Sequence, residues 1–399
     1  MWLSIRALVL SMVLALTLVP ASSGSPKQPS HEIAGSLEVS TEAGLGRLEL
    51  HGDIGAALQR DEGVVALLDL SRPERPKVLG RYDDGASQSL DGDLAFSTNG
   101  EWLFYARQTV QFSKDGLHVL DVSDPSAPTL ASYQPGGGSL RVAHYDDGTT
   151  EWVVLMDATS GMVVYRFEPT TGVLIPVHVN PLPATKVGGP ASAGVVIQKD
   201  PILKKPLLYA STGMTGVEVF DFSDPTNPKL LGSWDEMGLA EIEVRVTGKH
   251  RMIYGAAEYW FDKAKPPVVE ELDASHLDHI KLERELSVGC KTDDTQRVQG
   301  MALAGDALYV ANSTIGLPVY FGANYFRFTP VTRGAQNAGA GFQGIPYVFD
   351  VEVQGRYVYA TDAATGYLTV LERHDVRGWR YNRDELEWNN SERFESFGC

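Results

Sequence analysis

Two stretches of this chain repeat each other: GLHVLDVSDPSAPTLASY (Gly116–Tyr133) and GVEVFDFSDPTNPKLLGSW (Gly216–Trp234). A looser copy, GVVALLDLSRPERPKVLGRY, lies at Gly63–Tyr82. The matched aspartates are Asp69, Asp121 and Asp221, so the spacings are 121 − 69 = 52 and 221 − 121 = 100. The doubled interval implies a degenerate copy in between. It is GMVVYRFEPTTGVLIPVHV (Gly161–Val179), with Arg166 in the aspartate's place. Further copies read IGLPVYFGANYFRFTPV (Ile315–Val331) and TGYLTVLERHD (Thr365–Asp375). A fixed period of about fifty residues is the mark of a repeat architecture, in which no unit buries its apolar surface alone.

Each unit has one grammar. In the fourth, ASAGVVIQKD, KPLLYAST, GVEVFDFS and PKLLGSW are four short runs with apolar residues at alternate positions. Alternation of this kind predicts half-buried antiparallel strands joined by hairpin-sized gaps. The 40 glycines and 22 prolines that punctuate the chain suit many short strands. Four-stranded meanders repeated radially make a β-propeller, so the expected fold is all-β.

The string D-x-S-D-P-x-x-P is turn chemistry. Asp and Ser oxygens accept hydrogen bonds from nearby backbone N–H groups, and proline pre-sets φ. Pro128 and Pro228 then open an outermost strand, where a missing donor does little harm. Asp121, Asp124, Asp221 and Asp224 therefore read as structural rather than catalytic. These residues resemble the LVIVD repeat, most closely over Gly63–Tyr82, Gly116–Tyr133 and Gly216–Trp234, and more weakly over most of Leu45–Glu372. The resemblance implies a secreted or cell-surface β-propeller and supplies no catalytic residues to carry over.

Seven units are countable: Leu45–Asp83, Asp84–Pro135, Gly136–Leu182, Pro183–Gly238, Leu239–Lys291, Thr292–Gly334 and Ala335–Arg373. Six or eight blades are also compatible, because the fifth unit parses poorly. HEIAGSLEVS (His31–Ser40) is a spare strand that can complete the last blade and close the ring. The propeller domain is thus expected over 31–374, followed by a polar tail at 375–399.

Residues 1–24 carry Arg6, an apolar run from Ala7 to Val19 and small residues around Ala21–Gly24. That order is a cleavable secretory signal, with a retained anchor the lesser alternative. In an oxidising compartment Cys290 and Cys399 can pair; two unpaired thiols fit the sequence as well. Asn312-Ser313-Thr314 and Asn389-Asn390-Ser391 match the glycosylation pattern. A net charge of −17 without a basic stripe excludes nucleic acid as a partner. No segment after the leader is apolar enough to cross a bilayer, and a monomer is expected.

In a propeller the second-to-third strand loops and the blade-to-blade connections share one face, and by fold analogy ligands bind there. Polar residues fall at those loops: Arg107, Asp157, Thr212, Glu258, Asn312 and Asp362. Polar hairpins in water explain any single one of them. Two long departures single out this face, an insertion at Tyr259–Leu286 and the connection Arg333–Pro346. They are expected to wall a pocket with Tyr259, Trp260 and Phe342.

Metal sites are weakly signalled. The acidic pairs Asp83-Asp84, Asp235-Glu236 and Asp293-Asp294 could serve Ca²⁺ but read as solvated turns. His276 and His279 with Asp273 and Asp278 lack a further ligand set for zinc. Glu241, Glu243, Asp350 and Glu352 alternate on two innermost strands. They either plug the channel or form a metal site, of which Glu243, Asp350 and Glu352 are the candidate ligands. GAGFQG (Gly339–Gly344) matches a dinucleotide fingerprint but lacks a strand-to-helix setting, so the match is chance. The expected function is a secreted or cell-surface scaffold recognising an extracellular protein, glycan or small molecule on its loop-rich face. The alternative is a metal-assisted hydrolase or lactonase with an axial cation, Ca²⁺ being the one cofactor in view.

Overall fold

A computed structural model describes residues 30–60, 62–83, 85, 89–109, 115–180, 193–212, 216–257, 267–288, 297–313, 316–321, 324–328 and 347–374. Its strands form seven four-stranded antiparallel sheets. After β1 (Ser30–Glu38), the first blade holds β2 (Leu45–His51), β3 (Ile54–Gln59), β4 (Val64–Asp69) and β5 (Lys77–Tyr82). The second holds β6 (Ser89–Phe96), β7 (Trp102–Thr109), β8 (Gly116–Asp121) and β9 (Thr129–Pro135). The third holds β10 (Ser139–Asp146), β11 (Glu151–Asp157), β12 (Gly161–Glu168) and β13 (Val173–Asn180). In the fourth are β14 (Val195–Asp200), β15 (Lys205–Thr212), β16 (Gly216–Asp221) and β17 (Lys229–Trp234). The fifth has β18 (Leu239–Thr247), β19 (His250–Ala257), β20 (Val268–Asp273) and β21 (Lys281–Ser287). The sixth has β22 (Val298–Ala304), β23 (Ala307–Asn312), β24 (Leu317–Phe321) and β25 (Asn324–Phe328). The seventh contributes β26 (Val348–Gln354), β27 (Tyr357–Asp362) and β28 (Tyr367–His374), and β1 pairs antiparallel with β28 as its outermost strand.

The ring closes: each inner strand packs on the next, from β2 through β6, β10, β14, β18, β22 and β26 back to β2. Closure joins the two ends of the domain, so the seventh blade lacks no strand. Seven blades and the closing role of β1 are as the repeat count and the spare strand lead one to expect.

The core lies between the blades, with one apolar cluster at each of the seven interfaces. The middle strands are buried on both faces. Val65 and Leu67 of β4 pack toward the second blade, while Ala66 and Leu68 pack toward the seventh. Half-burial describes the outer strands, such as β9, where Leu130 and Tyr133 are exposed, and inner strands such as β14 and β22. Radial stacking gives each sheet two neighbours, and alternation disappears where both faces are dry.

The repeat motif folds as its chemistry predicts. Asp121 Oδ1 accepts Ser123 N at 3.0 Å and Ser123 Oγ at 2.7 Å. Asp69 does the same for Ser71, and Asp221 accepts Ser223 N at 3.0 Å. Asp124 Oδ1 accepts Ser126 N at 3.0 Å, and Asp224 Oδ1 accepts Thr226 N at 3.1 Å. The Ser126 hydroxyl and N–H hold the Asp124 carboxyl below the usual carboxylate range.

These turns also latch neighbouring blades. The Pro73 carbonyl of the first blade lies 2.3 Å from where a Cβ on Gly35 of β1 would stand. A Cβ on Gly80 of β5 would stand 2.5 Å from the second blade's Pro125 carbonyl, and one on Gly232 of β17 would stand 1.6 Å from the Leu277 carbonyl. These three outer strands thus keep a glycine where the next blade's turn comes closest. That explains the glycine in both PKVLGRY and PKLLGSW.

The fifth blade requires a correction. Tyr259–Leu286 is not one insertion: Val268–Asp273 and Lys281–Ser287 are the blade's third and fourth strands. VVEELDASHLDHIKL is the fifth blade's own copy of the repeat, with Asp273 Oδ1 accepting Ser275 N at 3.0 Å. Two buried acids, Glu270 and Glu271, break its apolar run, and a single 3-10 turn (Leu277–His279) replaces the prolines. His276 and His279 belong to that turn, His279 N donating to His276 O at 3.0 Å.

Candidate functional site

The second strands all end on one face, here termed the loop face. The opposite face carries the first-to-second hairpins and the repeat turns. Antiparallel pairing places Gln59, Thr109, Asp157, Asn312 and Asp362 at equivalent strand ends. Asp157 and Asp362 are 2% and 0% exposed, so neither presents its carboxylate to solvent. Asp157 Oδ1 accepts Thr159 N at 3.0 Å and Ser160 N at 2.8 Å, while Oδ2 accepts Gly137 N at 3.0 Å from the preceding connection. Asp362 Oδ1 accepts Ala364 N at 2.8 Å and Thr365 N at 3.1 Å. Asn312, 0% exposed, donates Nδ2 to Val288 O at 2.6 Å. These three side chains build the loops they were expected to decorate.

Arg107 lies two residues short of its strand end and is fully buried within β7. Thr212 ends β15, opposite Gly216. Glu258, Tyr259, Trp260 and Phe342 fall outside the described residues, as do Cys290, Cys399, the leader and the tail. Asp83 Oδ1 accepts Gly85 N at 2.7 Å, the turn reading of that acidic pair.

The second convergence is the axial channel. An inner-strand bulge near the loop face recurs in the first, second, third, fifth, sixth and seventh blades. It re-aims the next side chains. Arg47, Arg141, Glu241 and Asp350 form an upper layer, and Glu49, Asp93, Glu243 and Glu352 lie one pleat deeper. Arg47 Nη2 sits 2.7 Å from Glu241 Oε2 and its Nη1 3.4 Å from Asp350 Oδ1. Arg141 Nε approaches Glu241 Oε2 at 3.4 Å. The first, third, fifth and seventh blades are thereby tied across the axis. Gly300 leaves room for this: a Cβ there would stand 2.1 Å from Asp350 Oδ1.

Two acids also bind the next blade's backbone. Asp350 Oδ2 accepts Leu48 N at 2.9 Å and Asp93 Oδ2 accepts Val142 N at 2.9 Å. Burial nonetheless dominates their electrostatics. It pushes Asp93 up to about 7 and Asp350 to about 6, against the pull of Arg141 and Arg47 on the first and of Arg47 on the second. Glu243 rises to about 8 through burial reinforced by Glu241 and Asp350. Burial lifts Glu49 and Glu352 well above the usual carboxylate range; Asp93 adds to it at Glu49, and Glu49 adds to it at Glu352. No group of three or more His, Cys, Asp or Glu side chains stands in metal-holding geometry among the described residues.

Sequence reasoning found Glu241, Glu243, Asp350 and Glu352 but missed Arg47, Glu49, Asp93 and Arg141. The signal was legible. RLE at Arg47–Glu49, DGD at Asp91–Asp93, EIE at Glu241–Glu243 and DVE at Asp350–Glu352 share a charged-x-charged pattern opening a first strand.

Residues 110–133 match the LVIVD repeat family model. No curated protein matches the chain in sequence. Among solved structures, the chain is similar to Raptor of Chaetomium thermophilum, with 12% identity and a TM-score of 0.56. That match covers 86% of this chain and 29% of Raptor, so this chain spans under a third of it. It is equally similar to the β-propeller domain of Cps50 (Swd1) from Myceliophteria thermophila: 12% identity, TM-score 0.56, 86% and 99% covered. Sqt1 of Saccharomyces cerevisiae shows 10% identity and a TM-score of 0.55, with 86% and 99% covered. At such identities the likeness concerns the fold alone.

Proposed function

We propose that this seven-bladed β-propeller, which carries an LVIVD repeat at residues 110–133, is a secreted binding scaffold whose loop face recognises an extracellular protein, glycan or small molecule. The observation that carries this reading is the asymmetry between the two faces. On the turn face, β2–β3, β18–β19, β22–β23 and β26–β27 are each joined by two residues. On the loop face, 181–194 join β13 to β14, 258–267 join β19 to β20, and 329–347 join β25 to β26. Length that a closed ring does not need is concentrated on one side, where recognition loops on rigid scaffolds are found. The apolar leader at Ala7–Val19 supports export, and no helix among the described residues is long and apolar enough to cross a membrane.

The test is a glycan array and a screen against extracellular proteins of the host, followed by hydrogen-exchange footprinting of each hit on the full chain. Protection at the strand ends around Thr212, Asn312 and Asp362, with binding lost when 329–346 is shortened, is the expected result. A footprint on the hairpins around Gly52, Gly248 and Gly355 overturns the assignment.

A further inference from the structure

One guanidinium at the loop-face mouth of the channel has no carboxylate of its own. Arg60 follows Gln59, the last residue of β3, and its N–H donates to Gly44 O at 2.8 Å. That bond holds it at the loop-face end of the first blade. The side chain then runs past Gly46 of β2, where a Cβ would stand 2.9 Å from Arg60 Cγ. Its guanidinium carbon ends 4.5 Å from the ring centroid of Phe349 on β26, a residue only 2% exposed. Arg47 approaches the same ring at 5.8 Å. Stacking on a buried ring fixes the direction of a guanidinium without neutralising it.

The arginines of this mouth are partnered very differently. Arg47 binds Glu241 at 2.7 Å and Asp350 at 3.4 Å, and Arg141 shares Glu241 at 3.4 Å. Both also act electrostatically on Asp93. Arg60 makes no ion pair among the described residues, and its Nε is enclosed without an acceptor. Glu62, on the same loop, stands 3.0 Å from the Gln59 amide instead. An enclosed donor on a charged group with no acceptor is costly, and a bound anion would offset that cost. The side chain as a whole is partly exposed, which leaves its Nη pair open to a ligand.

We propose that Arg60, held on the Phe349 ring, is an anion-recognition residue of the loop face and takes a small ligand carrying one carboxylate. The assignment rests on the loop face being the recognition face and names the ligand class it takes at the axis. A guanidinium fork matches a carboxylate with two parallel N–H···O bonds. A second negative charge on the ligand would face Glu241 and Asp350 across the mouth, which disfavours a phosphate. The Arg47–Glu241 pair joins the first and fifth blades across the axis, so whatever enters meets a barrier one side-chain layer down. An end group fits such a place better than a folded surface does.

The experiment titrates acetate, D-glucuronate, D-glucose and inorganic phosphate against the full mature chain, Arg60→Met and Arg60→Lys by calorimetry and saturation-transfer NMR. Met keeps the length of the stem without the charge, and Lys keeps the charge without the fork. Acetate and glucuronate should compete for one site on the parent, while glucose does not bind. Glucuronate affinity should fall by about tenfold or more in Arg60→Met and by less in Arg60→Lys. The Arg60 Nε–H resonance of the parent should shift with glucuronate, a readout that survives if either variant folds poorly. Failure of both carboxylates to bind, unchanged affinity in Arg60→Met, or phosphate binding tighter than glucuronate overturns the proposal. Partners from the loop-face screen that footprint there yet bind Arg60→Met as tightly as the parent also overturn it, leaving the loop-face reading intact. A turn-face footprint overturns that reading, and the glucuronate titration still decides this one.

Discussion

Arg47 of the first blade grips Glu241 of the fifth across the propeller axis, Nη2 to Oε2 at 2.7 Å, and no apolar interface joins those two blades. The pair spans the channel rather than a blade seam, and Arg141 and Asp350 complete the bridge. Side-chain exposures of 6% and 17% mean that water screens it poorly. Removing one partner strands the other's charge.

Arg47→Met should therefore destabilise the protein by about 3 kcal/mol, the lower end for a broken buried ion pair. Urea unfolding measures it through a lowered midpoint at unchanged slope. Adding Glu241→Gln to Arg47→Met should restore part of the loss, because the stranded charge is then gone.

At the seam between the fourth and fifth blades, Arg251 donates Nε and Nη2 to Asp200 Oδ2 at 2.9 and 2.6 Å, and Nη1 to Ala274 O at 2.7 Å. Both side chains are essentially inaccessible. Arg251→Met and Asp200→Asn should be strongly coupled, with a double-mutant cycle giving about 1–3 kcal/mol. High salt should leave the coupling in place, since screening acts mainly on exposed pairs.

Gly232→Ala tests the inter-blade latch. Its new Cβ would meet the Leu277 carbonyl at 1.6 Å, backbone that cannot swing aside. A loss of about 2–3 kcal/mol is expected from overpacking, read again from the urea midpoint. The same substitution at Gly248, a hairpin tip with open space around it, should cost less, its burden being the left-handed φ of +62° alone.

Asn312 matches the glycosylation pattern, yet its amide is buried and bonded to Val288 O. Folded protein from a glycosylating host should carry no glycan at this position, as intact-mass and peptide mapping would show. Asn312→Ala should cost about 1–3 kcal/mol, because Val288 O loses its donor in a dry setting.

The legible part of this protein is what one unit can specify within itself. Asp121, Ser123 and Pro125 encode a turn through contacts two residues long, so D-x-S-D-P reads as a bend in any context. Repetition of that bend every fifty residues or so then makes a toroid the economical way to bury the sheets, and His31–Ser40 could be recognised as the strand left over. The fifth blade's copy escaped because Glu270 and Glu271 stand where apolar residues were sought. The burial of Glu271 is offset by Arg284 and Tyr254, which lie elsewhere in the blade.

The site divides along the same line. Polar residues at strand ends were found because loops interrupt apolar runs, but whether each faces solvent or turns inward depends on a bulge and on the neighbouring connection. Asp157 reaches back to Gly137, and Asn312 to Val288. Local sequence, then, determined most of the strands and the turns, since those rest on hydrogen bonds and torsions between near neighbours, while the ring fixed the count at seven. Tertiary structure alone decided that Arg47 meets Glu241 and that Glu49, Asp93, Glu243 and Glu352 come within electrostatic reach of one another or of the acids above them. Seven distant strands must converge on an axis before any of those charges feels another.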